Sequence, residues 1–91
     1  MTNPESPTPN PTPLHELDTS GLRCPEPVMR LHAEVRLLAP ASQLKVIATD
    51  PSTQRDIPRF CQFLGHTLLQ QTAYDGRFEF IIQTKPDIGA T

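Results

Sequence analysis

Ninety-one residues leave room for one domain, and a formal net charge of −2 gives the chain as a whole no nucleic-acid character. Two cysteines are too few for a disulfide framework, and neither they nor the three histidines fall at zinc-site spacing. The core is therefore expected to rest on packing, with no metal and no other cofactor. No apolar run approaches transmembrane length and no basic, then apolar, N-terminal run signals secretion, so the expected compartment is the cytoplasm, where thiols stay reduced.

The first thirteen residues, MTNPESPTPNPTP, hold five of the eleven prolines and no large apolar residue after Met1. Such a stretch cannot bury enough surface to offset its ordering entropy, so residues 1–13 read as a disordered, partly polyproline-like tail. PESP has the proline spacing of an SH3-type ligand but lacks a flanking basic anchor. The folded domain is placed at 14–86, with 87–91 as a short C-terminal tail.

LHELD, Leu14 to Asp18, reads as an edge strand. From Pro25 the apolar positions Val28, Leu31, Val35 and Leu38 recur at helical steps, and Pro40 is expected to end that helix. QLKVIAT, Gln43 to Thr49, alternates and is rich in β-branched residues, with Leu44, Val46 and Ala48 on one face. A second helix is expected with Asp50 as N-cap and Pro51 at the first helical position; Ile57, Phe60, Cys61 and Leu64 form its stripe and Gly65 its C-cap. Pro58 inside that pattern predicts a kink, or a helix that effectively begins near Asp56. TLLQQTAY and RFEFIIQT form a hairpin joined by Asp75-Gly76, with Phe78, Phe80 and Ile82 facing the core.

The order β-α-β-α-β-β implies an α/β (α+β) two-layer sandwich, a four-stranded mixed sheet with both helices on one face.

GLRCPEPVMR, Gly21 to Arg30, then stands out. It places Cys24 in the turn between the first strand and the first helix, where unsatisfied backbone N–H groups and the helix dipole favour negative charge. With Arg23 alongside, a thiolate there is expected to have a moderately depressed pKa, with Glu26 working against it. Pro25 suits the first helical position and Pro27 removes another donor, leaving the amides of Glu26 and Val28 to face the sulfur. The competing reading is a small hydrophobe in a tight turn, but an arginine, a glutamate and two prolines do not describe an apolar pocket.

Cys61 lies on an apolar stripe and reads as core. Asp50, Asp56 and His66 could approach Cys24 if both helix N-termini share one edge, although capping is the ordinary use of the aspartates. His32 reads as a surface residue. Arg23, Arg30, Arg36, Arg55 and Arg59 lie on or beside the two helices, as a positive face or as ordinary solvation.

Two segments, LDTSGLRCPEPVMR and DPSTQRDIPRFCQFLGHTLL, carry a family resemblance. The first resembles the signature of the TusA-like (SirA-like) sulfur carrier family, whose hallmark is a Cys-Pro-X-Pro motif after a Gly-Leu pair. The second resembles that family's second-helix region, particularly in the branch that serves tRNA thiolation. The likeness runs from about Leu14 to Thr84.

The resemblance implies the same two-layer fold and a persulfide carried on Cys24 as nucleophile, with Arg23, Pro25, Glu26 and Pro27 supporting it. It implies sulfur received from a cysteine desulfurase and passed to a downstream relay acceptor, ending in 2-thiouridine, by a sulfurtransferase-type covalent carrier without direct tRNA contact. Arg30, Arg55 and Arg59 are the expected docking residues. Relatives feed other pathways, including molybdenum cofactor enzymes and sulfur oxidation. A non-catalytic regulatory module and a two-cysteine redox switch are the rival readings.

Overall fold

The computed structural model describes residues 14–86; the two tail assignments, 1–13 and 87–91, lie outside the described residues. The elements are β1 (Leu14–Thr19), α1 (Glu26–Val35), β2 (Gln43–Ala48), α2 (Thr53–Leu64), β3 (Thr67–Tyr74) and β4 (Arg77–Gln83). The sheet order is β1-β2-β4-β3, with β1 parallel to β2 and the other neighbours antiparallel. This is the expected mixed sheet, and β1 lies at an edge.

Register explains why one face is apolar. Leu44 pairs with Ile82, Val46 with Phe80 and Ala48 with Phe78, so these six side chains project from the same face. They join Leu31 of α1 and Ile57, Phe60 and Cys61 of α2 in one cluster, which places both helices on that side. Phe80, Leu31, Leu44, Ile57, Ile82 and Val46 are fully buried, each contributing about 1.5–3 kcal/mol of hydrophobic transfer. On the other face, by alternation, Lys45 and Arg77 pair with Glu79 at 3.5 and 2.9 Å.

The β3–β4 turn has Asp75 at φ 52° and Gly76 at φ 72°, the left-handed conformations the Asp-Gly pair foretold. Gly65 closes α2 at φ 84°, also as expected.

Three local expectations are corrected. First, α1 stops at Val35, well before Pro40, because the backbone tightens into i to i−3 bonds: Leu37 N–H donates to Glu34 and Leu38 N–H to Val35. Second, the N-cap of α2 is Ser52, not Asp50, and Pro51 precedes the helix. Asp50 still serves the helix start from outside: its Oδ1 accepts Ser52 N–H at 3.0 Å and its carbonyl accepts Thr53 N–H at 3.0 Å. Third, α2 begins at Thr53, ahead of Asp56, and continues through Pro58. The carbonyl of Gln54, four residues before Pro58, accepts the side-chain amide of Gln71 on β3 at 3.3 Å, which replaces the bond proline cannot donate.

Candidate functional site

Because β1 and β2 are parallel and each runs into a helix, both helix N-termini emerge at one edge of the sheet, the usual place for chemistry in such folds. The β1–α1 loop is fastened there. Ser20 N–H donates to Asp18 Oδ1 at 2.9 Å, Gly21 N–H to Thr49 Oγ1 at 2.9 Å, and buried Thr19 Oγ1 to the Ile47 carbonyl at 2.7 Å. Gly21 has φ 82°, a conformation that a side chain would strain. Cys24 follows, exposed, and its peptide bond to Pro25 is cis.

Pro25 is the N-cap of α1 and not its first helical residue, so Pro27 occupies the second helical position, where it is fully buried. The Glu26 amide does not face the sulfur, since it donates to the Arg23 carbonyl at 2.8 Å.

Two carboxylates from the β2–α2 side meet Cys24. Its backbone N–H donates to Asp50 Oδ2, and its Sγ donates to Asp56 Oδ2 at 3.3 Å. Arg55 Nε reaches the other oxygen of Asp56 at 3.4 Å. The expected depressed thiol pKa is thereby corrected: the Cys24 pKa is raised above its ordinary value. The hydrogen bond to Asp56 is the main cause, with smaller contributions from partial desolvation and the charges of Asp56 and Asp50. The Ser52 hydroxyl, shut from solvent and with no partner in hydrogen-bond geometry among the described residues, opposes this more weakly. The helix dipole and Arg23 lose to a carboxylate in contact with the sulfur.

Asp50 is shifted the other way. Backbone N–H donors from Cys24 and Ser52 hold its carboxyl below the ordinary 3.8, and Arg23 assists from a distance.

Cys24 helps to line an open groove of about 730 Å³ between the helices, together with Pro25, Val28, Asp56, Arg59, Phe60 and Phe63 among others. Phe63, in the lining of this groove, is 87% exposed, a large apolar surface for a side chain beside a nucleophile. Of the residues singled out in the sequence, Cys24, Pro25 and Arg59 share this groove; Arg30 is exposed and not part of its lining. Arg55 sits against Asp56 instead. Cys61 is 2% exposed in the core, and burial pushes its pKa to about 11. His32 is exposed with its ring edge-on to Phe60. His66 is placed by Phe60 and by Lys85, whose N–H donates to its Nδ1 at 3.0 Å, and it does not line the groove of Cys24.

Sequence reasoning weighed Asp50 and Asp56 and assigned both to capping. The parallel β1–β2 pairing, which brings the two strand ends together, is the signal that links them to Cys24. Phe63 was missed; its place off the stripe of Ile57, Phe60, Cys61 and Leu64, four residues after Arg59, marks it as outward-facing.

The model of the family described as Sulfurtransferase TusA matches residues 15–84. The chain is 62% identical over 76 residues to the sulfur carrier protein TusA of Pseudomonas putida, covering 84% of this chain and 95% of that one. It is 61% identical over 71 residues to the protein of the same name from Pseudomonas aeruginosa, covering 78% and 90%. Among solved structures, the SirA-like protein of Desulfitobacterium hafniense superposes with a TM-score of 0.67 at 19% identity, over 79% of this chain and 97% of that one, a likeness of fold.

Proposed function

The chain belongs to the TusA family, and from that premise we propose that it is a sulfur carrier that takes sulfur from a cysteine desulfurase as a persulfide on Cys24 and relays it to a downstream acceptor protein, on the way to 2-thiouridine in tRNA. The observation that carries this reading is an exposed cysteine held in an open groove by a fastened loop. A nucleophile that must enter one partner's site and then another's needs a protruding thiol on a small body.

The step is a transfer of neutral sulfur. Cys24 Sγ attacks the outer sulfur of the donor persulfide and gives up its proton. An S–S bond forms at Sγ as the donor's S–S bond breaks, and the departing donor thiolate takes up a proton. Nothing is oxidised overall. In the second half an acceptor thiolate attacks the outer sulfur on Cys24 and regenerates the thiol. Cys61, buried and hard to ionise, has no part in this.

Pro25 and Pro27 stiffen the turn that presents the sulfur, and Arg23 and Glu26 flank it. Arg30, Arg55 and Arg59 supply charge on the two helices for docking, while Phe63 supplies apolar area in the groove. The partners are proteins, with no direct tRNA contact, and the reactions belong to the cytoplasm. Among the described residues no helix is long and apolar enough to cross a membrane.

The pathway is tested by nucleoside mass spectrometry of tRNA from cells lacking this chain. Loss of 2-thiouridine, restored by the wild-type chain and not by Cys24→Ser, is expected. Unchanged 2-thiouridine would direct the sulfur to another acceptor.

A further inference from the structure

We propose that Asp56 is a specificity-determining residue of the sulfur-transfer site: its carboxylate keeps the Cys24 proton on sulfur in the free protein, and a partner releases the thiolate by placing a cationic side chain against that carboxylate. The proposal rests on the sulfur-carrier reading and adds to it the chemistry of the partner surface that Cys24 must meet.

Geometry separates Asp56 from the capping role its position suggests. The start of α2 is served by Asp50, whose carboxylate and carbonyl take the amides of Ser52 and Thr53. The hydrogen bonds of the Asp56 carboxylate, among the described residues, come from Cys24 Sγ at 3.3 Å and Arg55 Nε at 3.4 Å, and neither is a backbone amide. A carboxylate near a helix start that leaves the backbone amides to another residue and faces a thiol is placed for the thiol.

The other groups around the sulfur do not cancel it. From the β2–α2 loop, Asp50 adds negative charge and the Ser52 hydroxyl a weaker opposing effect. From the β1–α1 loop, Arg23 acts on Asp50. Glu26 opens α1 with a further negative charge, Arg55 lies on the far oxygen of Asp56, and Arg59 lies along the groove. Among these charged groups, Asp56 touches the sulfur and Asp50 holds the backbone N–H of the same residue. Forming a thiolate there sets like charges a few ångströms apart, which a cation brought by a docked protein relieves.

The same arrangement favours delivery. A persulfide ionises more readily than a thiol, so the loaded group carries negative charge beside Asp56 and Asp50. Its outer sulfur is repelled from them, which favours its capture by an approaching acceptor. A small persulfide that brings no cation meets a protonated thiol and reacts slowly.

The test follows Cys24 alkylation by iodoacetamide across pH 6–10, read by mass spectrometry, in the wild type, Asp56→Asn, Asp56→Ser and Asp56→Glu, with circular dichroism confirming the fold. The two neutral variants are expected to shift the rate profile to lower pH and to react severalfold faster at pH 7, with Asp56→Glu staying near the wild type. Loading by the persulfide of 3-mercaptopropionate, which carries no cation, should rise severalfold in Asp56→Asn, and desulfurase loading should rise less, so that selectivity for the protein donor falls. Coincident alkylation profiles for wild type and neutral variants would overturn the proposal, as would equal gains with both donors. A wild-type chain that no persulfide donor loads would instead defeat the sulfur-carrier reading, while the alkylation profiles still decide whether Asp56 holds the proton.

Discussion

The side-chain amide of Gln71 on β3 donates to the backbone carbonyl of Gln54 on α2, the carbonyl that Pro58 leaves without its helical partner. A defect in one layer is thus answered from the other, and α2 runs unbroken from Thr53 to Leu64. Continuity matters to the site, because α2 presents Asp56 at one end and Phe63 near the other.

Replacing Pro58 by Ala should therefore stabilise the protein. A proline in a helix interior costs about 3 kcal/mol, and the greater freedom of the unfolded chain takes back about 0.4–1 kcal/mol. With Gln71 already satisfying the carbonyl, a net gain of about 1–2 kcal/mol is expected in urea unfolding at unchanged m-value. Gln71→Ala in the wild-type background should lose about 0.5–1 kcal/mol, and little in the Pro58→Ala background. Equal losses in both backgrounds would contradict the pairing.

Asp50 joins Cys24 to α2, so Asp50→Ala should lower the thermal midpoint at neutral pH and loosen the loop that carries the cysteine. The sign follows from its depressed carboxyl: the native state favours the charged form, so its stabilisation is present above the ordinary 3.8 and is lost as pH falls through the lower native value. The midpoints of wild type and variant should converge in that acid window. A gap that persists undiminished there would rule out the carboxylate as its source.

His66 should make stability fall in mild acid. Burial and the charges of Lys85 and His32 hold its pKa below 6.5, and its neutral Nδ1 accepts the Lys85 amide at 3.0 Å. The unfolded chain binds the proton more readily, so stability is full above 6.5 and is lost as pH falls through the lower native value. His66→Gln should flatten that part of the urea-midpoint profile; a slope unchanged by the substitution would place its origin elsewhere.

Cys61→Ala should retain sulfur loading and cost about 1 kcal/mol, as a small truncation in the core. Its raised pKa of about 11 means that the native state favours the thiol, with stability present below the ordinary 9.0 and lost as pH rises toward 11. The variant should lose less stability than the wild type across that alkaline range. Loss of loading at unchanged stability would revive a two-cysteine switch.

The fold was legible because local and global signals agree. Leu44, Val46 and Ala48 alternate as a half-buried strand must, Asp75-Gly76 dictates a tight hairpin, and Gly65 ends α2 where the apolar stripe runs out. The exposed place of Cys24 was legible for the same local reason, a cysteine among prolines at a helix start. Its electrostatics were not. The thiol meets Asp56, thirty-two positions away in the chain, through a contact that the parallel pairing of β1 and β2 creates and no local pattern records. The continuity of α2 through Pro58 was hidden likewise, because Gln71 reaches it from another element.

Docking should depend on the exposed arginines of the two helices. Arg30→Glu/Arg59→Glu should slow desulfurase loading most at low ionic strength, since rim charges act mainly on association rate. Arg55 is left intact in this variant because its guanidinium lies against Asp56. Initial rates equal to wild type across a salt series would refute docking through these arginines.

The central claim is that sulfur travels on Cys24. Intact and peptide mass spectrometry after incubation with a cysteine desulfurase and cysteine tests it most directly, on wild type, Cys61→Ala and Cys24→Ser, each shown to be folded. The account predicts one added sulfur on the Cys24 peptide of the first two, removed by reductant, and none on Cys24→Ser. Reductant-labile sulfur on folded Cys24→Ser, or none on the wild type, would contradict it.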